Sequence, residues 1–184
     1  MNARYLKNSL AVRGFFVTLA SQMHRFYNEG NSAFKEKNYK LAASFYQKVV
    51  FVQLDYTFPE DDNWEKKFGR IRAKTNLNMA LTQYKLANYN DCIRYCNDII
   101  NQTPANIKAH TTRGLSHIML SQLEDAKKDF ETIMKLDPSS QSAKEQRRRI
   151  DEIVFFSCTF VHYSQEKKHK TREKVLYKAM FGTS

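Results

Sequence analysis

Two contiguous stretches, residues 73–106 and 107–140, are each 34 residues long and carry matching residue types at matching places. In the second, Gly114 stands at the eighth place, Ala126 at the twentieth, Phe130 at the twenty-fourth and Pro138 at the thirty-second. In the first, Ala80, Cys92, Cys96 and Pro104 hold those places. A third copy, residues 23–56, has Gly30, Ala42 and Tyr46 in step and lacks the closing proline. A unit of this length cannot bury its apolar face alone, so copies must stack. Small residues at the eighth and twentieth places let two helices approach closely, and the aromatic is expected to fill the gap against the next unit.

That period is the period of the tetratricopeptide (TPR) repeat. The expected fold is all-α: a right-handed TPR superhelix of three helix-turn-helix repeats with a long C-terminal capping helix. Residues 1–22 are expected as a helical lead-in, since Leu10, Val12, Phe15, Phe16 and Leu19 recur at helical spacing. Residues 23–56 form repeat 1, 73–106 repeat 2 and 107–140 repeat 3. Between the first two lies an inter-repeat insertion, residues 57–72, holding Pro59, the acidic residues 60–62 and the single tryptophan, Trp64. Residues 141–184 are read as a capping helix, which a terminal repeat needs to cover its apolar face, followed by a basic extension.

Composition agrees with a helical domain. Apolar residues make up 42% of the 184 and charged residues 27%, with only five glycines and three prolines to break helices. Three cysteines, an odd number, without an evident signal peptide argue for a reducing compartment, and a cytoplasmic location is expected. The first 28 residues lack Asp and Glu while holding Arg4, Lys7, Arg13 and Arg25, which leaves an organellar presequence open beside the lead-in reading. No stretch reaches the roughly 18 apolar residues of a membrane span. The net charge of +11 invites a nucleic-acid reading. Its concentration in residues 144–149 and 167–174, within a helical extension, fits a solvated face better.

The inter-repeat insertion, the cap, the stretch 76–96 and the closing residues Arg172, Glu173, Lys174, Val175, Leu176, Tyr177, Lys178, Ala179, Met180 and Phe181 together resemble the C-terminal half of the larger FKBP-type immunophilins, including the branch of the aryl-hydrocarbon-receptor-interacting protein. The resemblance covers roughly residues 23–181. It departs from the family in two places. The 22 residues before the first repeat are too few for the family's prolyl-isomerase domain, so no catalytic activity is expected of this chain. Residues 153–171, with the run Val154, Phe155, Phe156, Ser157, Cys158, Thr159 and Phe160, interrupt the path from cap to ending.

Stacked repeats line a concave groove with their first helices. The places pointing inward are held by His24, Tyr27, Asn28, Asn31 and Lys35, then Lys74, Leu77, Asn78, Leu81 and Lys85, then Lys108, Thr111, Thr112 and Leu115. The resemblance implies a carboxylate clamp in this groove, which in similar co-chaperones holds the terminal Glu-Glu-Val-Asp of the large heat-shock chaperones. A chain-terminal aspartate presents two carboxylates that ammonium, guanidinium and amide donors pair through charge-assisted bonds. Asn31, Asn78 and Lys108 match the clamp, while Tyr27 stands where its first lysine belongs and Thr112 where its arginine belongs. The clamp is incomplete, yet Lys35, Lys74, Lys85 and Lys108 keep the groove basic. The expected partner is therefore the C-terminal peptide of a heat-shock chaperone or another acidic-tailed protein. Asn31 and Asn78 remain open to a second reading as plain helix-surface amides, and Leu77, Leu81 and Leu115 as packing residues.

No small-molecule substrate, cofactor or metal is implied. Cys92 and Cys96 are four apart on one helical face, but their repeat places call for small packed residues and no complementary His or Cys pair stands near. His110 and His117 have no carboxylate or nucleophile pattern around them in sequence. Neither a Gly-rich phosphate loop nor a nucleophile elbow is present.

Overall fold

The computed structural model describes residues 10–54 and 62–182. Seven helices follow one another: α1 (Leu10–Lys35), α2 (Tyr39–Leu54), α3 (Asp62–Lys85), α4 (Tyr89–Gln102), α5 (Ile107–Met119), α6 (Leu123–Leu136) and α7 (Gln141–Phe181). No strand occurs among the described residues. Each helix packs on the next, and α3 also touches α1 and α5, so the odd helices form one row. The fold is a stack of three helix pairs closed by α7.

The pairs share one turn. Lys37, Ala87 and Ser121 adopt left-handed backbone with φ of 61°, 61° and 58°. Each stands two residues past the end of the first helix of its pair. The next residue's N–H reaches back into that helix: Asn38 to the Ala33 carbonyl at 2.9 Å, Asn88 to Gln83 at 2.9 Å, and Gln122 to His117 at 2.8 Å. Such a turn satisfies carbonyls that the helix end leaves open. None of the three is glycine, and the strain of roughly 1–2 kcal/mol for a left-handed non-glycine residue is offset by the helix packing it permits. Within a pair the small residues work as expected. A Cβ on Gly30 would lie 2.6 Å from the Tyr46 ring, and one on Gly114 would lie 3.0 Å from Phe130. The aromatic thus packs first on the glycine of its own unit. Tyr46 then also meets Met79 of the next pair.

Two segments for which the sequence offered no packing partner take definite form. Described residues of the 57–72 insertion are helical: they form the first turns of α3, continuous with the helix of the next repeat. Trp64, Phe68 and Ile71 follow helical spacing and pack on Phe16 and Leu19 of the lead-in part of α1 and on Met23 at the start of repeat 1. Two added helical segments therefore bury each other. Residues 153–171 likewise cause no break, because α7 runs through them without proline or glycine until Gly182 ends it at φ 64°. Its early turns cap the stack: Ala143 and Ile150 are buried against Ala126, Phe130 and Ile133, with Val154 at the margin. Beyond Val154 it leaves the body, and Phe155, Phe156 and Tyr163 are each more than 60% exposed. Among the described residues, no helix is long and apolar enough to cross a membrane.

Candidate peptide-binding groove

Tyr27 and Asn31 on α1, Tyr46 on α2 and Asn78 on α3 converge where three helices meet. The Tyr46 hydroxyl donates to Asn31 Oδ1 at 2.8 Å, and Asn78 Nδ2 donates to the same oxygen at 2.8 Å. Asn78 Nδ2 also lies 3.4 Å from the Tyr27 hydroxyl and 3.5 Å from that of Tyr46. Two donors on one oxygen fix the Asn31 amide and use both of its lone pairs. Its Nδ2 then has no acceptor among the described residues. The two groove asparagines are thus tied together.

Tyr46 is almost fully buried, and desolvation is the main reason its hydroxyl is pushed up to about 12, with the Asn78 hydrogen bond opposing this and Tyr27 adding to it. The neutral phenol is the form that donates to Asn31. Between about pH 10 and about 12 the folded chain keeps a proton that the unfolded chain has released, so stability falls as pH rises through that window. A two-unit shift corresponds to at most about 2–3 kcal/mol. Burial also raises Tyr84, with the same sign. Denaturant titrations at increasing pH are therefore expected to show a steeper alkaline loss for the natural chain than for Tyr46→Phe. Equal losses would show that Tyr46 does not hold its proton.

The third pair contributes Lys108, exposed in the first turn of α5, whose start is capped by Asn106 Oδ1 accepting from the Ala109 N–H at 3.1 Å. Thr112 is only 5% exposed and donates its hydroxyl to the Lys108 carbonyl at 2.8 Å. It therefore occupies its groove place without offering a donor. Lys35 and Lys85 are exposed in the last turns of α1 and α3, where cations complement the helix dipole. Leu115 packs at the margin of the α6–α7 cluster, which favours its packing reading. Lys74 is exposed one turn before Asn78.

Beside Lys74 the groove continues into a cavity of about 280 Å³ between α1 and α3, lined by His24, Tyr27, Lys67, Arg70 and Lys74 with Ala20 and Ile71. Sequence reasoning missed Lys67 and Arg70 because they fell in the inter-repeat insertion, outside the repeat register. Once residues 62–72 are helical, the spacing 67, 70, 74, 78 places them in line with Asn78.

His110, expected to have no carboxylate near it, has one. Its Nδ1 lies 2.9 Å from Asp129 Oδ1 and its Nε2 lies 2.9 Å from the Pro104 carbonyl. Arg113 closes on the same carboxylate through Nη2 at 2.6 Å and Nε at 2.9 Å, and donates to Asn97 at 2.6 Å. This network locks α5 to α4 and α6, and it holds Arg113 away from the groove. Cys92 and Cys96 are buried and free, packed beside Tyr84 and Tyr95, with Ser116 donating to Cys92 Sγ at 3.1 Å. Among the described residues no cluster of three or more His, Cys, Asp or Glu could hold a metal ion.

No family model matches the chain. It is 29% identical over 127 residues to the peptidyl-prolyl cis-trans isomerase PASTICCINO1 of Arabidopsis thaliana, covering 69% of the chain and 20% of that protein. It is also 29% identical over 153 residues to the peptidyl-prolyl cis-trans isomerase FKBP4 of Bos taurus, covering 83% of the chain and 30% of that protein. The chain thus spans less than a third of the length of these curated relatives. Among solved structures it is similar to the C-terminal TPR-containing domain of a Plasmodium falciparum FK506-binding protein, with TM-score 0.68, 19% identity and coverage of 77% of the chain and 93% of that structure. The first TPR of Spaghetti (RPAP3), bound to the HSP90 peptide SRMEEVD, matches with TM-score 0.59 and 22% identity, over 73% of the chain and 94% of that structure. These likenesses establish the TPR fold.

Proposed function

We propose that this chain is a peptide-binding adaptor of the co-chaperone kind, which holds the acidic C-terminal tail of a heat-shock chaperone, or of a protein with a similar tail, along the row of odd helices. One observation carries the reading. Asn31 and Asn78 are joined at the centre of the groove with Asn31 Nδ2 left without an acceptor, and cations stand on either side at Lys74 and Lys108. Helix-surface amides with no ligand role would not need a buried tyrosine to aim them. The HSP90 peptide bound by the Spaghetti TPR supports the same chemistry here. A cytoplasmic setting fits this role.

The proposed site is non-catalytic. Relatives named as peptidyl-prolyl isomerases favour, as a second reading, a chain that forms the interaction part of such an enzyme. Neither reading expects turnover from the 184 residues themselves, so a prolyl-peptide isomerisation assay that found it would overturn the non-catalytic site.

The groove is tested by titrating the chain with a peptide ending in Glu-Glu-Val-Asp, once as the free acid and once amidated. The free acid is expected to bind at micromolar concentration and the amide at least tenfold more weakly, because amidation removes one charge-assisted partner. Lys108→Ala is expected to weaken the free acid. Equal binding of both peptides, or no binding below millimolar concentration, ends the clamp reading.

A further inference from the structure

The cavity between α1 and α3 has an unbalanced charge. Lys67, Arg70 and Lys74 converge on it from α3 and His24 from α1, and no carboxylate lines it. Lys67 lies over the Trp64 ring at 4.9 Å, while Arg70 and Lys74 have no ion pair with any described residue. Like charges one helical turn apart repel by a few tenths of a kcal/mol, so this arrangement gains nothing until an anion enters.

The cavity is also continuous with the groove. Along α3, Arg70, Lys74 and Asn78 succeed one another at intervals of about 6 Å on one face, and along α1 Ala20, His24, Tyr27 and Asn31 run opposite. Tyr27 belongs to both sites: its ring lines the cavity and its hydroxyl approaches Asn78. The space exists because residues 62–72, which bring Lys67 and Arg70, extend α3 alongside the lead-in of α1, where small Ala20 leaves room.

We infer that this cavity is a carboxylate subsite of the peptide groove, in which Arg70 and Lys74 supply the cation displaced by Tyr27 and hold one of the two carboxylates of the ligand's terminal acidic residue. The inference rests on the acidic-tail reading of the groove. A lysine reaching in from α1 is replaced by cations arriving from α3 on the other side of Tyr27. The guanidinium of Arg70 can grip a carboxylate through two parallel N–H donors, and the tyrosine hydroxyl is left as a neutral donor between subsite and asparagines.

The experiment compares the natural chain, Arg70→Gln/Lys74→Gln, Lys108→Ala, and Lys144→Gln/Arg149→Gln as a control for bulk charge. All exchanged residues are exposed, and circular dichroism is recorded for each variant so that only folded ones are compared. The probe is the free-acid peptide ending in Glu-Glu-Val-Asp. Arg70→Gln/Lys74→Gln is expected to lose at least tenfold in affinity and much of the preference for free acid over amide, while the α7 control changes little. If Lys108→Ala weakens binding but Arg70→Gln/Lys74→Gln does not, the subsite is wrong and the groove reading stands. An equal loss in the α7 control assigns the effect to bulk charge and overturns the subsite. If the natural chain does not bind the peptide at all, the groove reading and the subsite fall together.

Discussion

Replacing Asp129 with alanine is expected to destabilise the fold by about 3–5 kcal/mol, a large part of the total for a chain of this size. The carboxylate is 3% exposed and receives three contacts that cannot be made elsewhere: His110 Nδ1, Arg113 Nη2 and Arg113 Nε. Removing it leaves a guanidinium that is only 23% exposed without its counter-charge, beside an imidazole that has lost its acceptor. Replacing Asp129 with asparagine keeps the shape and one acceptor, so a smaller loss is expected. Urea denaturation followed by circular dichroism measures both. Because the network anchors α5, which presents Lys108, the alanine variant should also lose tail-peptide affinity in conditions where it is still folded. A loss below about 1 kcal/mol would mean that Arg113 and His110 find water or other partners, and that the network does not hold the third pair in place.

The second large effect concerns the two clamp places that sequence reasoning treated alike. Tyr27→Lys is expected to raise free-acid tail affinity by roughly 1.5–3 kcal/mol, ten- to a hundredfold, because an ammonium there would stand beside the Asn31–Asn78 pair where a carboxylate must sit. Thr112→Arg is expected to give little on its own. Thr112 is buried, and a guanidinium placed there must displace neighbours to reach the groove, with a stability loss of about 1–3 kcal/mol. Peptide titration of the two single variants and the double variant, with melting curves for each, tests this asymmetry. Equal gains from the two singles would show that Thr112 opens onto the groove after all. No gain from Tyr27→Lys in a folded protein, together with no loss from Arg70→Gln/Lys74→Gln, would move partner recognition to α7 or the convex face.

The glycine and aromatic packing places and the capping role of the chain after residue 140 were legible because each follows from local periodicity. Gly30 and Tyr46, or Gly114 and Phe130, are sixteen residues apart in any copy of the unit, and the close approach of their helices demands a small residue against a large one. The 62–72 segment was illegible for the opposite reason. Its apolar residues Trp64, Phe68 and Ile71 have helical spacing, but their packing partners Phe16, Leu19 and Met23 lie some fifty residues away in and just after the lead-in, so neither segment explains the other until the chain is folded. The 153–171 stretch looked like an interruption because its apolar run has no family counterpart, although nothing in it breaks a helix.

Sequence by itself determined the helix-pair stack, its spacing, and which side chains of the first helices share a face, since those follow from a 34-residue period and from 3.6 residues per turn. Tertiary structure alone decided which of those side chains have free donors. Tyr46 reaches Asn31 across a helix pair, Asp129 draws Arg113 and His110 inward, Thr112 sinks beneath Lys108, and Arg70 lines up with Lys74 beside Tyr27. Hydrogen bonding and ion pairing act over a few ångströms between residues distant along the chain, so a linear pattern can place a donor on a face but cannot say whether another residue has already taken it.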